Sequence, residues 1–592
     1  MTMRPRSGTS LIDLVISIGI LAILFGGIYL VYFSIITAIT SINVRSDATE
    51  AIGQEIEMIR NLPYGSVGTV GGVPSGVLPQ IQTMTVGNYT FTLQTTIRNI
   101  DDPFDGTLGG NPNDTAPDDY KLVQVDATCP LCDATLDVAI TTTVAPKNLE
   151  SATQNGSLFL YAIDANGNPL SGVTMHVIDA SVTPTIDLTD TTNVSGVLQL
   201  VGVPTSTRSY SVIASEAGYS SDRTYPPGAV GNPNPVEPYL TVAAQTVTAA
   251  TFSIDRLSQL SVITSDEQCK PLGNEQFSMQ GGKLIGTNPN VFKFSTSSIT
   301  SASGTVNFPQ LEWDTYTLTP SDIGKDLMGT IPLAPITINP SSTITFRMIL
   351  QAAANPALLV TTADSASGNV ITNATVSLSK SGFSSTLITG RAVLSQTDWS
   401  GQGTSGYSSQ SGGIDPNSVP GQLTLLADDS GMYATGTIES LISNTFDLGG
   451  TSSTLFSLSW NPTSEPPAVG PNSVQFQVAA NNDNATWNFI GPDGTANTYF
   501  TSSSSSIPLS LSGNRYFRYQ VYLSTQDPNT TPQLTGVSLN FSADCVPPAQ
   551  VLFTNLTAGN YTLDVQAPGY AEVSSTIPIS SGFQSSTIRM AQ

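Results

Sequence analysis

Residues 9–40 form an almost unbroken apolar run, and no other feature restricts what this chain can fold into so strongly. One carboxylate, Asp13, sits near its start, and a lone acid in a spanning helix costs roughly 2.5–3.5 kcal/mol at the bilayer centre, so it marks function. The stretch 14–39 exceeds the ~20 residues needed to cross a bilayer. An ordinary secretory signal has an apolar core of about 7–15 residues and a small-residue cleavage site, and no such site precedes Arg45, Asp47 and Glu50. Arg4 and Arg6, with no acid beside them, place the N-terminus in the cytoplasm. The expectation is a single pass through the inner (cytoplasmic) membrane, with everything after Ile42 exported. Ile52, Ile56 and Ile59 continue at helical spacing and Pro63 supplies a stop, so one helix is expected over 11–62, roughly 75–80 Å long. Gly26-Gly27 is a weak point in it.

The residues Arg4-Pro5-Arg6-Ser7-Gly8, followed by Thr9-Ser10-Leu11-Ile12-Asp13-Leu14, form a short basic leader, a glycine and then a hydrophobic helix. This pattern resembles the class III signal of the type IV pilin superfamily. The resemblance implies that a prepilin peptidase cuts between Gly8 and Thr9, that Thr9 is then N-methylated, and that Asp13, fifth in the mature chain, pairs with the terminal amine of a neighbouring subunit. The family usually has phenylalanine at the position of Thr9 and glutamate at that of Asp13, so the carboxylate here is one methylene shorter.

Beyond the helix the chain is rich in Ser, Thr, Gly and Pro, and its 592 residues far exceed one domain. A net charge of −24 disfavours nucleic acid as a partner. The one histidine, His176, lies between Met175 and Val177 in a strand-like run, which argues against a catalytic triad or a His-ligated metal. Residues 63–148 read as a β headgroup, with strand-like alternation over 88–100, 120–128 and 133–143. Between the first two lie Asp101, Asp102, Asp105, Asp114, Asp118 and Asp119 in a loop punctuated by Gly and Pro. Hard oxygen ligands suit Ca²⁺, and pilin-like headgroups hold calcium in such loops, so the six are candidate ligands. A solvated acidic loop is the alternative. Four cysteines in an exported chain favour disulfides. Cys129 and Cys132 have redox-motif spacing but strand-like flanks, which favours a small disulfide loop at a hairpin tip. Cys269 and Cys545 are the remaining pair, and sequence leaves three connectivities open.

From about residue 151 a pattern recurs. The first copy runs Leu158-Phe159-Leu160-Tyr161-Ala162-Ile163-Asp164, then Pro169-Leu170-Ser171-Gly172-Val173, Ser195-Gly196-Val197, Tyr210-Ser211-Val212 and Gly218-Tyr219. A second passes Gly304-Thr305-Val306 and Tyr316-Thr317-Leu318. A third opens at Leu358-Leu359-Val360 and resumes at Val551-Leu552-Phe553, Tyr561-Thr562-Leu563 and Gly569-Tyr570. The pattern resembles carboxypeptidase regulatory-like and Cna-B-like β-sandwiches. The insertion that splits the third copy carries Trp399, Trp460 and Trp487 and looks like a jelly-roll sandwich of the carbohydrate-binding or galactose-binding-like kind. In its run 516–523, Tyr516, Arg518 and Tyr522 share one strand face, a possible platform for a glycan or a surface protein, with Phe517, Tyr519, Val521 and Leu523 on the other.

The expected fold class is mainly β: a long N-terminal transmembrane and amphipathic helix, a pilin-like β headgroup, and tandem β-sandwich domains with one jelly-roll-like insertion. The expected domains are a leader (1–8), helix (9–62, transmembrane over about 14–39), headgroup (63–148), sandwiches at 150–256 and 257–352, a split sandwich (356–382 with 546–592) and the inserted sandwich (383–545). The expected function is a minor or tip subunit of a type IV pilus-like filament that displays sandwiches for adhesion. It would be non-enzymatic, with no cofactor beyond possible calcium, and its partners would be the peptidase, other pilin subunits and the membrane. The alternatives are a membrane-anchored stalk or receptor outside any filament, and a pseudopilin of a secretion or DNA-uptake system.

Overall fold

The computed structural model describes residues 11–130, 132, 138–147, 154–321, 324–403 and 406–592. It is mainly β with one long helix, α1, over Leu11–Arg60. The described side chains before position 43 in α1 are exposed, with the single exception of Thr40, which is half-buried. From Val44 onward one stripe (Val44, Ala48, Ala51, Ile52, Ile56 and Ile59) is buried, a periodicity that matches the helical repeat. It packs on an antiparallel meander of Ile81–Val86, Tyr89–Ile100, Tyr120–Thr128 and Val138–Val144, meeting Phe91, Leu93, Ile97, Val123 and Val125.

The chain divides into two compact units, one of residues 1–257 with 284–291, the other of 258–283 with 292–592. In the first unit the headgroup is joined to a β-sandwich by a bidentate Arg98–Asp190 pair. Asn99 Nδ2 donates to the Val201 carbonyl at 3.1 Å, and Gln80 Nε2 to that of Asp187 at 2.7 Å. The second unit holds another sandwich, the split one and the inserted one.

Three sandwiches share one topology. In each, the opening strand pairs in parallel with the closing strand: Gly156–Ile163 with Val247–Ser253, Ser258–Ser265 with Thr343–Ala352, and Ala357–Asp364 with Phe583–Met590. On its other side each opening strand pairs antiparallel with a middle strand: Val197–Val203, Thr305–Leu311 and Gln550–Phe553. The turn after each opening strand is built around an aspartate. Asp164 Oδ1 accepts from the amides of Asn166 and Asn168, Asp266 Oδ1 from Gln268 and Lys270, and Asp364 Oδ1 from Ala366 and Ser367. Such side-chain capping of a turn explains why aspartate recurs there. The recurring tyrosines Tyr210, Tyr316 and Tyr561 are fully buried, and each hydroxyl donates to a backbone carbonyl a few residues upstream: Pro204, Glu312 and Thr557. Burying a phenol without such an acceptor costs free energy.

Among the described residues the inserted sandwich has two main sheets, one of Ala392–Gln396, Gly536–Ser542, Thr454–Asn461 and Ser505–Ser506, the other centred on Tyr516–Leu523, beside a two-stranded pairing of Ile414–Asp415 with Thr424–Leu425. Its core includes a buried polar chain in which Trp399 Nε1 donates to Tyr519 Oη at 2.8 Å and Tyr519 Oη to Gln396 Oε1 at 2.6 Å. Two boundaries differ from the sequence expectation. Phe383–Ile388, read as the start of the insertion, is an edge strand of the split sandwich. It pairs with Thr375–Lys380 across a tight turn at Gly382, whose φ of 78° suits glycine, and Phe383 packs its ring edge-on against Tyr561. Residues 284–291, expected within the second sandwich, belong to the first unit, where the Val236 amide donates to the Ile285 carbonyl.

Cys129 bonds to Cys132 and Cys269 to Cys545, the latter pair 276 residues apart in sequence. The long link joins the aspartate-capped turn of the second sandwich to the point where the chain leaves the inserted one. Closing so long a loop restricts the unfolded chain, with typical stabilisation of about 2–4 kcal/mol. Cys545→Ser and Cys269→Ser are each expected to lower the urea midpoint of the second unit by a similar amount. Unchanged midpoints would show that the link contributes nothing to stability.

Candidate functional site

Three places carry the residues that the sequence singles out. The first is the exposed half of α1, which is long and apolar enough to cross a membrane. Asp13 lies on this helix. Its side chain, and Gly8 and Thr9, lie outside what the structure describes.

The second is the acidic loop. Five of its carboxylates accept hydrogen bonds within the headgroup, while Asp101 Oδ1 and Asp114 Oδ2 are buried with no hydrogen-bond partner among the described residues. Asp101 Oδ2 accepts from the Leu108 amide at 2.9 Å, Asp102 Oδ1 from Phe104 at 3.0 Å and Asp114 Oδ1 from Ala116 at 2.8 Å. Asp119 Oδ2 accepts from the Asp102 amide, and Asp118 Oδ1 from Asn99 Nδ2 at 3.0 Å. Burial pushes Asp101 above the usual aspartate range, offset by the Leu108 amide and reinforced by Asp114, Asp119 and Asp105. Burial likewise raises Asp118, offset by Lys121 and Asn99. Lys121, just past the loop in sequence, is a cation that the reading of the loop alone left out. It is 6% exposed, donates from Nζ to the carbonyls of Tyr64 at 2.9 Å and Val67 at 2.6 Å, and is lowered by burial against the pull of Asp118.

Among the described residues no group of three or more His, Cys, Asp or Glu is placed to hold a metal ion. Asp102 and Asp114 each bond the amide two residues on, as turn-forming aspartates do, whereas Asp101 and Asp119 bond amides across the loop and Asp118 bonds Asn99.

The third is the face of Tyr516–Leu523, where the alternation is clear: Phe517, Tyr519, Val521 and Leu523 are buried, and Tyr516, Arg518 and Tyr522 are half-buried. The polar ends of Arg518 and Tyr522 are engaged inside the domain. Arg518 donates from Nε to Thr445 Oγ1 at 2.9 Å and from Nη1 to Ser408 Oγ at 3.0 Å, and lies 4.5 Å from the Trp487 ring centre. Tyr522 donates to Gln477 Oε1 at 2.8 Å and meets Tyr499 edge-on. The Tyr516 ring has the Arg515 guanidinium 5.2 Å away. Neighbouring strands and loops therefore occupy the Arg518 and Tyr522 groups that an open platform would offer. His176, on a strand of the first sandwich, faces Asp187 at 2.7 Å.

No family model matches the sequence, and no curated protein does. Among solved structures, the TIE protein of Bacillus anthracis aligns at 11% identity over 86% of this chain and 73% of its own, with a TM-score of 0.15. The minor pilin of Streptococcus agalactiae aligns at 14% identity over 34% of this chain and 98% of its own, TM-score 0.18. A shaft pilin of Lactobacillus rhamnosus GG aligns at 13% identity over 33% and 98%, TM-score 0.13. At such scores these likenesses carry no argument, and the fold rests on the sheets described above.

The raised Asp101 and Asp118 and the lowered carboxylates of the sandwich turns respond oppositely to acid. A carboxyl raised in the folded state contributes stability below its unfolded pKa and loses it as pH rises through the folded value. A depressed one, such as Asp164, held down chiefly by Asn168, or Asp364, held down by Ser367, loses its contribution as pH falls. Hydrogen-exchange protection factors, which divide out the intrinsic pH dependence of exchange, are expected to rise in the 101–119 loop as the pH falls toward the ordinary aspartate range, and to fall at the 164–168 and 364–369 turns only below that range. Asp101→Asn with Asp118→Asn should flatten the loop response. A loop that loosens on acidification would contradict the assignment.

Proposed function

We propose that this chain is a membrane-anchored, pilin-like surface subunit that displays β-sandwiches for adhesion and carries no catalytic activity. The observation that supports it best is the division of α1. One half is exposed and apolar, as a segment in lipid or between subunits would be. The other half is fixed to a four-stranded sheet by its buried stripe. In this reading a prepilin peptidase cuts between Gly8 and Thr9, Thr9 is methylated, and Asp13 pairs with the amine of a neighbouring subunit at the base of a type IV pilus-like filament. The headgroup and four sandwiches are a bulky load for one subunit, which favours a minor or tip position over a shaft one. The N-terminus is cytoplasmic and the sandwiches face outward, where the long disulfide suits an oxidising compartment.

Mass spectrometry of the exported protein is expected to find a chain that starts at methylated Thr9. Asp13→Ala should leave membrane insertion intact and lower recovery in sheared filaments by about tenfold, the effect of losing roughly 1.4 kcal/mol of pairing in hydrocarbon. Exported protein that still begins at Met1, or a mutant recovered at wild-type level, would remove the filament reading and leave an anchored stalk.

A further inference from the structure

We propose that the outer edge of Phe583–Met590, the closing strand of the split sandwich, is an interface at which two copies of this chain pair antiparallel about Ser585. The inference goes beyond the display reading and needs no filament. It starts from the direction of the backbone groups. The Ala357 amide donates to the Gly582 carbonyl and the Ser365 amide to that of Met590, so the even-numbered residues of Phe583–Met590 bond Ala357–Asp364 in their parallel pairing. The amides and carbonyls of Phe583, Ser585 and Thr587 therefore face away from the sheet. Among the described residues no strand pairs with that side, and none of these amides and carbonyls has a hydrogen-bond partner. All three residues are exposed, so another backbone can reach them.

The two related sandwiches cover the same edge. In the second, Lys325–Ile331 pairs antiparallel with the closing strand Thr343–Ala352, on the side away from the opening strand. In the first, the Ser253 amide at the end of Val247–Ser253 donates to Asp222 Oδ2 at 2.9 Å, and Thr248 Oγ1 donates to the Thr241 carbonyl at 2.8 Å. Among the described residues the split copy alone leaves this edge open. It is not blunted either. Proteins keep an edge strand from pairing with lysine, proline or a bulge, whereas residues 580–588 contain no charge and no proline, and the pairing with Ala357–Asp364 runs without a register shift.

The edge selects its occupant. Donors and acceptors that recur at every second residue match a polypeptide backbone, and the second sandwich shows the antiparallel orientation that the equivalent place accepts. A second copy meets both conditions with the same strand. With a two-fold axis at Ser585, that residue opposes the partner's Ser585 and Phe583 opposes the partner's Thr587, and these pairs exchange both of their backbone bonds, about six in all. Gln584 then opposes the partner's Ser586. No like charges meet, and each Phe583 stands beside a threonine, a favourable pairing of an aromatic with a β-branched side chain. The same face borders a cleft of about 570 Å³, lined by Leu318, Leu327 and Leu359 together with Phe583, Ser585 and Thr587, so the partner's ring adds apolar cover at its margin.

The test is sedimentation equilibrium of the full-length protein, in detergent micelles, over about a hundredfold range of concentration. The wild type is expected to form dimers. Ser585→Lys, which sets two cations opposite each other across the axis at an exposed position, should weaken dimerisation about fivefold or more. Thr587→Pro removes an outward amide from each copy at a place where proline is tolerated, and should weaken it about tenfold or more. Ser195→Lys, on an exposed turn of the first sandwich, should leave it within about twofold. The four native cysteines are all bonded, so Ser585→Cys supplies a lone thiol at which a short bismaleimide should join two copies. Unchanged urea midpoints would show that the variants fold. A wild type that stays monomeric would overturn the interface, as would dimers that Ser585→Lys and Thr587→Pro both leave untouched, since the contact would then lie elsewhere. A monomer that captures members of an extended-peptide array along this edge would give it to a foreign chain and overturn the second copy as occupant.

Discussion

The burial of one helical stripe against one sheet is the interaction from which the rest of the molecule hangs. Val44, Ala48, Ala51, Ile52, Ile56 and Ile59 lose their contact with water against the headgroup strands. Full burial of one large aliphatic side chain is worth about 1.5–3 kcal/mol, so the three isoleucines alone outweigh any surface pairing in the headgroup. Without that contact α1 would be a greasy rod with no defined direction relative to the headgroup sheet. With it, the exposed half of the helix is held in register with everything that follows in the first unit.

The three related sandwiches show how little sequence is needed to repeat a topology. What recurs is an aspartate that caps the first turn, a tyrosine that bonds a carbonyl upstream, and a closing strand parallel to the opening one. In the split copy the insertion enters without disturbing these. The Thr362 amide there donates to the Ala549 carbonyl, the bond that Ala162 makes to Gly196 and Thr264 to Gly304 in the uninterrupted copies. The insertion sits in a connection, which tolerates length because added loop residues cost only slowly rising entropy.

The helix, the β class and the alternation of Tyr516–Leu523 were legible because periodicity is a local property of the chain. Two edge strands were harder to read. Ile81–Val86 is hard to read because its outward residues include Ile81 while Gln82 faces inward, so at its start the pattern of apolar and polar residues contradicts the burial. Phe383–Ile388 follows the hairpin turn at Gly382, and a hairpin turn and a domain boundary look alike in one sequence. At the sites, residue types were visible and their partners were not. The groups that occupy Arg518 lie 73 and 110 residues away, and the one that occupies Tyr522 lies 45 away. Asp118 likewise meets Asn99 and Lys121 from two different strands, a meeting that no spacing rule encodes.

The sulfur bridge between Cys269 and Cys545 has a mechanical meaning. Along the backbone, a pull on the inserted sandwich must travel through Thr375–Lys380 and Ala357–Asp364 before it reaches the second sandwich. The bridge provides a shorter covalent route from residue 545 directly to residue 269. Once the chain is drawn taut the shorter route carries the load, and the split sandwich is relieved of it, its closing strands free to stay folded while tension passes by.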